Sequence, residues 1–244
     1  MLIAYILALS FLCLAFTQAK LFITINRGSK KSYVIDINNG TVCEGVPDYP
    51  DTNDDVYGPA YGLINQTPMV CDGNMEFEIN ECYIFQDGEW QKNVRLPEPS
   101  RFSGSTVLNE TTLWIAGNGN YANYSKTLSL LVNPFERTVH PGPELPSNIG
   151  YQCMVNIDGD SVMFIGGYNG TDGLDETRIY SFTQDAWEMG PPLTRSRLEP
   201  ACAIITLDSK RFIFVAQYDT SEYLELDGDN TWKQGINDKS RSLT

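Results

Sequence analysis

Apolar residues recur at every second position in short runs, and Gly, Pro, Asn and Asp punctuate them. This is the alternation of half-buried strands, and it argues against helices throughout. One class of run ends in small residues. Residues 161–170 read SVMFIGGYNG and residues 112–119 read TLWIAGNG; residues 21–28, 67–73 and 211–218 are weaker copies. Each is followed by an alternating run, at residues 32–37, 82–85, 128–132, 178–182 and 222–226. A turn and an aromatic residue come next: Trp90, Phe135, Trp187 and Trp232, spaced by 45, 52 and 45 residues. Pro-containing segments follow at 95–99, 141–146 and 190–193, and one more apolar run starts near residues 61, 104, 153 and 202.

Each repeat therefore holds four short strands in 45–52 residues. Four-stranded units at such a period describe the blades of a propeller. A β-sandwich does not account for strands that recur in one order with a Trp at a fixed phase. The units expected are residues 20–45, 57–95, 102–139, 151–190 and 200–236. Gly pairs belong where a strand ends against crowded backbone, and Trp and Tyr belong in the wedges between blades.

Phe164, Ile165, Gly166 and Gly167, then Tyr180, Trp187, Pro192 and Leu193, resemble the kelch repeat: apolar residues, Gly-Gly, a Tyr, a spaced Trp and a Pro/Leu segment. The unit at 161–200 is the strong match; Gly-Gly becomes Ala-Gly at 116–117 and Asp-Gly at 72–73, and is lost at 216–217. The resemblance implies an all-β fold, a kelch-type β-propeller of four-stranded antiparallel blades with about five units. It also implies that the C-terminal segment supplies the innermost strand missing from the first unit. Residues 238–244 are polar and read poorly as a core strand, so the expected ring is incompletely closed.

Composition adds a compartment. Residues 2–16 are almost wholly apolar and shorter than the roughly 20 residues of a membrane span. Thr17, Gln18 and Ala19 follow, so residues 1–19 read as a cleaved secretory signal and 20–244 as the propeller domain. Asn39, Asn65, Asn109, Asn123 and Asn169 each open an Asn-x-Ser/Thr triplet and fall on expected turns, which makes them candidate glycosylation sites. Asn65 is the poorest acceptor, because Pro68 follows its Thr. The chain has six Cys, and Cys13 leaves with the signal. In an oxidising compartment, Cys71 with Cys82 and Cys153 with Cys202 are the pairings expected, leaving Cys43 over. The net charge of −14 disfavours nucleic acid as a partner. No membrane association is expected after signal cleavage.

Strand parity divides the loops between two faces. Connections between the second and third strands of a blade, and between the fourth and the next first, share the face with longer loops. Arg101, Asn148, Tyr168, Asp172, Arg195 and Arg197 are the ligand candidates there. Catalytic chemistry has little to work with. Galactose oxidase, which some extracellular kelch-like propellers resemble, holds its copper with two His and two Tyr, and this chain has one His, His140. That residue lies beside Pro141 without a nucleophile motif. The segments at 156–160 and 227–229 resemble pieces of calcium loops, but read better as turns. The expectation is a secreted extracellular binding module for a protein or glycan, without cofactor, metal or catalytic residues. Two other readings stand beside it: a carbohydrate-active or other hydrolytic enzyme with a dispersed site on the loop face, and a structural extracellular protein.

Overall fold

A computed structural model describes residues 21–25, 31–36, 41–43, 47–50, 58–71, 80–118 and 128–235. The calls on residues 1–19, Asn39, Asn123 and the C-terminal residues 236–244 lie outside these. The described residues form strands and turns without a helix. An N-terminal antiparallel sheet has three strands, β1 (Leu21–Ile25), β2 (Ser32–Asp36) and β3 (Thr41–Cys43). Four four-stranded sheets follow and form a four-blade β-propeller. The first blade is β4 (Ala60–Ile64), β5 (Thr67–Cys71), β6 (Glu81–Gln86) and β7 (Glu89–Arg95). The second is β8 (Gly104–Asn109), β9 (Thr112–Ala116), β10 (Ser129–Asn133) and β11 (Thr138–Pro141). The third is β12 (Cys153–Asn156), β13 (Ser161–Ile165), β14 (Thr177–Ser181) and β15 (Ala186–Met189). The fourth is β16 (Ala201–Leu207), β17 (Lys210–Gln217), β18 (Thr220–Glu225) and β19 (Lys233–Gln234). The unit read at 20–45 is thus a three-stranded sheet, and four blades are complete.

Every blade is an up-and-down meander. Two-residue hairpins close several pairs with both central residues at positive φ, as at Asn65 (45°) and Gln66 (64°) and at Asp208 (48°) and Ser209 (66°). This hand of turn matches the twist of paired strands. The innermost strands neighbour one another in order, β4 with β8, β8 with β12 and β12 with β16.

Alternation gives each blade two apolar faces, and the faces meet in wedges. Ile64, Met69 and Ile84 of the first blade pack with Leu113, Ile115 and Val132 of the second. Trp114 packs with Met154, Phe164 and Tyr180 of the third. Val155, Met163 and Ile165 pack with Ile213, Val215 and Leu224 of the fourth. Burial of such side chains stabilises the fold by about 1.5–3 kcal/mol each. Three of the phase-marking aromatics stitch these layers together. The indole N–H of Trp90 donates to Ser32 Oγ of the N-terminal sheet at 3.3 Å. Those of Trp187 and Trp232 donate to the carbonyls of Glu144 (2.8 Å) and Pro191 (2.9 Å) in the links leaving the preceding blades. Phe135 departs from the pattern and is 49% exposed. Asn133 Oδ1 accepts from the backbone N–H groups of Phe135 and Glu136, which fixes that ring in the β10–β11 turn. Trp114, on β9, lies in the next wedge.

Cys71 and Cys82 are bonded, and they face each other directly across β5 and β6 with Cα atoms 3.9 Å apart. Cys153 and Cys202 are also bonded, 6.0 Å apart at Cα. Their places are not equivalent, however. Cys153 begins β12, whereas Ala201 begins β16 and Cys202 follows it. That one-residue offset turns one sulfur toward the following blade and the other back, so they meet between the two.

Candidate ligand-binding funnel

Two residues before each inner strand the chain adopts a left-handed conformation. The residues are Gly58 (φ 56°), Phe102 (51°), Tyr151 (58°) and Glu199 (58°). Three of them pay the steric cost of a side chain there. A backbone ladder holds the set together: the N–H of Phe102 donates to the Gly58 carbonyl at 2.9 Å, that of Tyr151 to Phe102 at 2.7 Å, and that of Glu199 to Tyr151 at 3.0 Å. The starts of all four inner strands are therefore locked around one axis.

They enclose a cavity of about 310 Å³, lined by residues 58, 59, 61, 102–105, 151–154 and 199–201. Its lining comes from the starts of the inner strands and the residues just before them. Phe102 and Tyr151 stack with ring centroids 4.4 Å apart and an interplanar angle of 21°. Tyr168 stands edge-on to Tyr151 at 6.4 Å. Gln152 is 5% exposed; its Nε2 donates to the Ala116 carbonyl at 2.6 Å, while its Oε1 has no hydrogen-bond partner. Ser105 Oγ accepts from the Tyr61 N–H and donates to the Tyr61 carbonyl, joining the first two inner strands. Among the described residues, Glu199 is the one acidic or basic side chain in this lining apart from the phenols.

The Gly-Gly pair of the repeat supports the rim. A Cβ on Gly166 would lie 2.6 Å from the Arg197 carbonyl oxygen, and one on Gly167 would lie 2.7 Å from that of Gly150. Both positions have positive φ as well. The loops that shape the mouth thus approach β13 at a distance only glycine allows.

The six ligand candidates divide. Arg197 is wholly buried. Its Nε and Nη2 lie 2.8 and 2.7 Å from Glu222 Oε1, and its Nη1 donates to Thr220. Glu222 Oε2 accepts the Thr194 N–H at 2.7 Å. This buried pair pins the link between the third and fourth blades to β18, so Arg197 is a structural residue and does not face a ligand. Arg101 is also buried, with its guanidinium carbon 5.7 Å from the Phe102 ring centroid. Tyr168 is half-buried beside Tyr151. Asn148, Asp172 and Arg195 are exposed on loops and do not line the cavity. The funnel residues Phe102, Tyr151, Gln152 and Glu199 were missed by sequence reading. Phe102, Tyr151 and Glu199 share one signal, a fixed offset before an inner strand, and Gln152 follows Tyr151.

Residues 156–160 form a hydrogen-bonded turn. Asn156 Oδ1 accepts from Gly159 N–H, and Asp158 Oδ1 from the N–H groups of Asp160 and Ser161. Hydroxyls of Thr183 and Ser181 donate to Asp160 and hold its carboxyl below the usual range. Asn65 is exposed in the β4–β5 turn, Asn109 at the end of β8 and Asn169 in the β13–β14 loop; Asn109 Oδ1 accepts from both the N–H and the hydroxyl of Thr111.

No known protein-family model matches this chain, and no curated protein is similar to it in sequence.

Proposed function

We propose that the protein is a secreted, glycosylated propeller of the kelch type that acts as a binding module, taking its protein or glycan ligand at the central funnel. The observation that carries this reading is the cavity itself. Four chain segments, far apart in sequence, deliver an aromatic pair, polar groups and one carboxylate to a concave site on a rigid, backbone-locked frame. Ligand sites are concave, few and largely pre-formed. Two disulfides agree with an oxidising, extracellular setting. The exposed Asn-x-Ser/Thr turns support passage through the secretory route.

The test uses the secreted full chain in glycan-array and extracellular-protein screens, with Ala201→Phe as a plugged form. Ala201 is exposed and lines the cavity, so the substitution fills the mouth and leaves the wedges alone. The expected result is a ligand whose capture is lost on plugging while the melting temperature holds. A ligand still captured by the plugged protein, and lost on changing the opposite-face turns, would place binding elsewhere.

A further inference from the structure

We propose that the protein takes up an extended segment of another protein as an added strand, at the place beside β1 where the other four sheets carry an inner strand. This surface is separate from whatever the funnel holds. Strand count locates it. β1 belongs to the same class of run as β5, β9, β13 and β17. Each of those four pairs on its inner side with β4, β8, β12 or β16. Among the described residues β1 pairs with β2 alone. Alternate residues of Leu21–Ile25 therefore turn their backbone N–H and C=O groups away from β2, where a further strand would pair. Trp90 sets this sheet beside the first blade.

The neighbouring inner strands mark the same place. On β4, Ala60 and Ile64 pack toward the second blade. Alternation turns Tyr61 and Leu63 the other way, and they are 66% and 62% exposed. Val70, directly across from Tyr61 on β5, is buried against Tyr49. On β16, Ile204 packs toward the third blade, whereas Ile205 and Leu207 face away from it and are exposed. Met154 and Val155 of β12, which serve the closed wedges on either side of the third blade, are both buried. Cover is thus weakest at the inner strands that border the open side of the ring. Two apolar walls and an unpaired strand edge suit an extended segment that is apolar on both faces; a helix has already paired its own backbone groups. A length of about five residues matches β1. Residues 238–244 of this chain are polar and do not suit such walls. Asp208, exposed directly after Leu207, and the net charge of −14 favour Lys or Arg at the ends of the segment.

The experiment titrates the acetylated, amidated peptide Lys-Val-Ile-Val-Ile-Val-Lys into the secreted full chain. Calorimetry reads affinity, and amide hydrogen exchange reads protection along the chain. A second peptide carries N-methyl groups on the five central amides, which keeps the side chains and removes the backbone donors. The first peptide is expected to bind and to slow exchange across Leu21–Ile25, and the N-methylated one not to bind. Leu63→Asp and Ile205→Asp, which charge one wall each at exposed positions, are each expected to weaken binding by roughly tenfold or more. Equal binding of the two peptides would overturn the added strand, since apolar adsorption needs no backbone donors. Absence of binding, or binding that leaves exchange at β1 unchanged, overturns it as well. So does free protein in which the β1 amides are as protected as those of β5, because this chain then fills the place itself. Protection that grows with protein concentration would assign the place to a second copy and overturn the partner strand. The comparison of the two peptides uses the unaltered protein, so it stands even where a charged variant fails to fold.

Discussion

The fourth blade has two apolar faces of similar composition and unlike fate. On the face toward the third blade, Ile213, Val215, Leu224 and Trp232 are buried against Val155, Met163 and Ile165. On the other face, Ile205 is 37% and Leu207 58% exposed, and Phe212 is only partly covered, its ring edge-on to Tyr223 at 6.0 Å. Among the described residues no apolar cluster joins that face to another sheet. Neighbouring residues of one strand thus alternate between a packed wedge and open surface. Alternation says that a strand has an apolar face; only the next blade makes that face a core.

The largest effect that sharpens this contrast comes from the polar part of the covered face. Glu222→Gln removes the charge that compensates buried Arg197. Breaking one side of a buried ion pair is expected to cost about 3–5 kcal/mol. Replacing both residues, as Arg197→Met with Glu222→Leu, should restore most of it. Urea unfolding reads both. A loss below about 1 kcal/mol for the single change would mean that water reaches the pair and that the link is not anchored through it.

Next comes a pair of neighbours on β17. Ile213→Ala should cost about 2–5 kcal/mol, because it empties a fully buried site in the wedge. Phe212→Ala, one residue away but on the open face, should cost about 1 kcal/mol or less despite deleting the larger side chain. Equal losses would break the comparison and show that the outer face is covered in solution.

The same contrast explains what was legible in the sequence. Strand phase was readable because Trp90, Trp187 and Trp232 each meet the preceding unit at a fixed point of the repeat. Phe135 sits at the same phase but belongs to a turn capped by Asn133, and sequence spacing cannot distinguish the two. Arg197 looked like a loop cation. Its partner Glu222 lies on a strand of the following blade, where alternation gives no sign that an acid is buried. The funnel was the least legible part. Its positions share a backbone conformation and a hydrogen-bond ladder, while Gly58, Phe102, Tyr151 and Glu199 share no side-chain chemistry.

A smaller effect separates a closed wedge from open surface by pH. Tyr180 is buried between the second and third blades, and its hydroxyl donates to Asp185 Oδ1 at 2.5 Å. Burial first, and then Asp185, pushes its pKa up to about 12. In the unfolded chain a tyrosine ionises near pH 10. The folded state keeps its proton longer, so this contribution to stability is complete below pH ~10 and is lost as pH rises toward ~12. Melting temperatures of the wild type and Tyr180→Phe across that range should converge, because the Phe variant lacks this titration. A constant difference would mean that the hydroxyl ionises as freely folded as unfolded.

The smallest effect is expected at Leu207, and it tests the open face most directly. Leu207 ends β16 at 58% exposure, on the side of Ile205 and away from the third blade. Leu207→Ser removes apolar surface that is already largely in water. Substitutions of this kind stay within about 0.5 kcal/mol, and sedimentation should give the same mass for both proteins. Should Leu207→Ser instead lower stability in a concentration-dependent way, the face is buried between chains, since only an association equilibrium ties stability to protein concentration. The two faces of the fourth blade would then be alike, one filled from within the chain and the other from outside it.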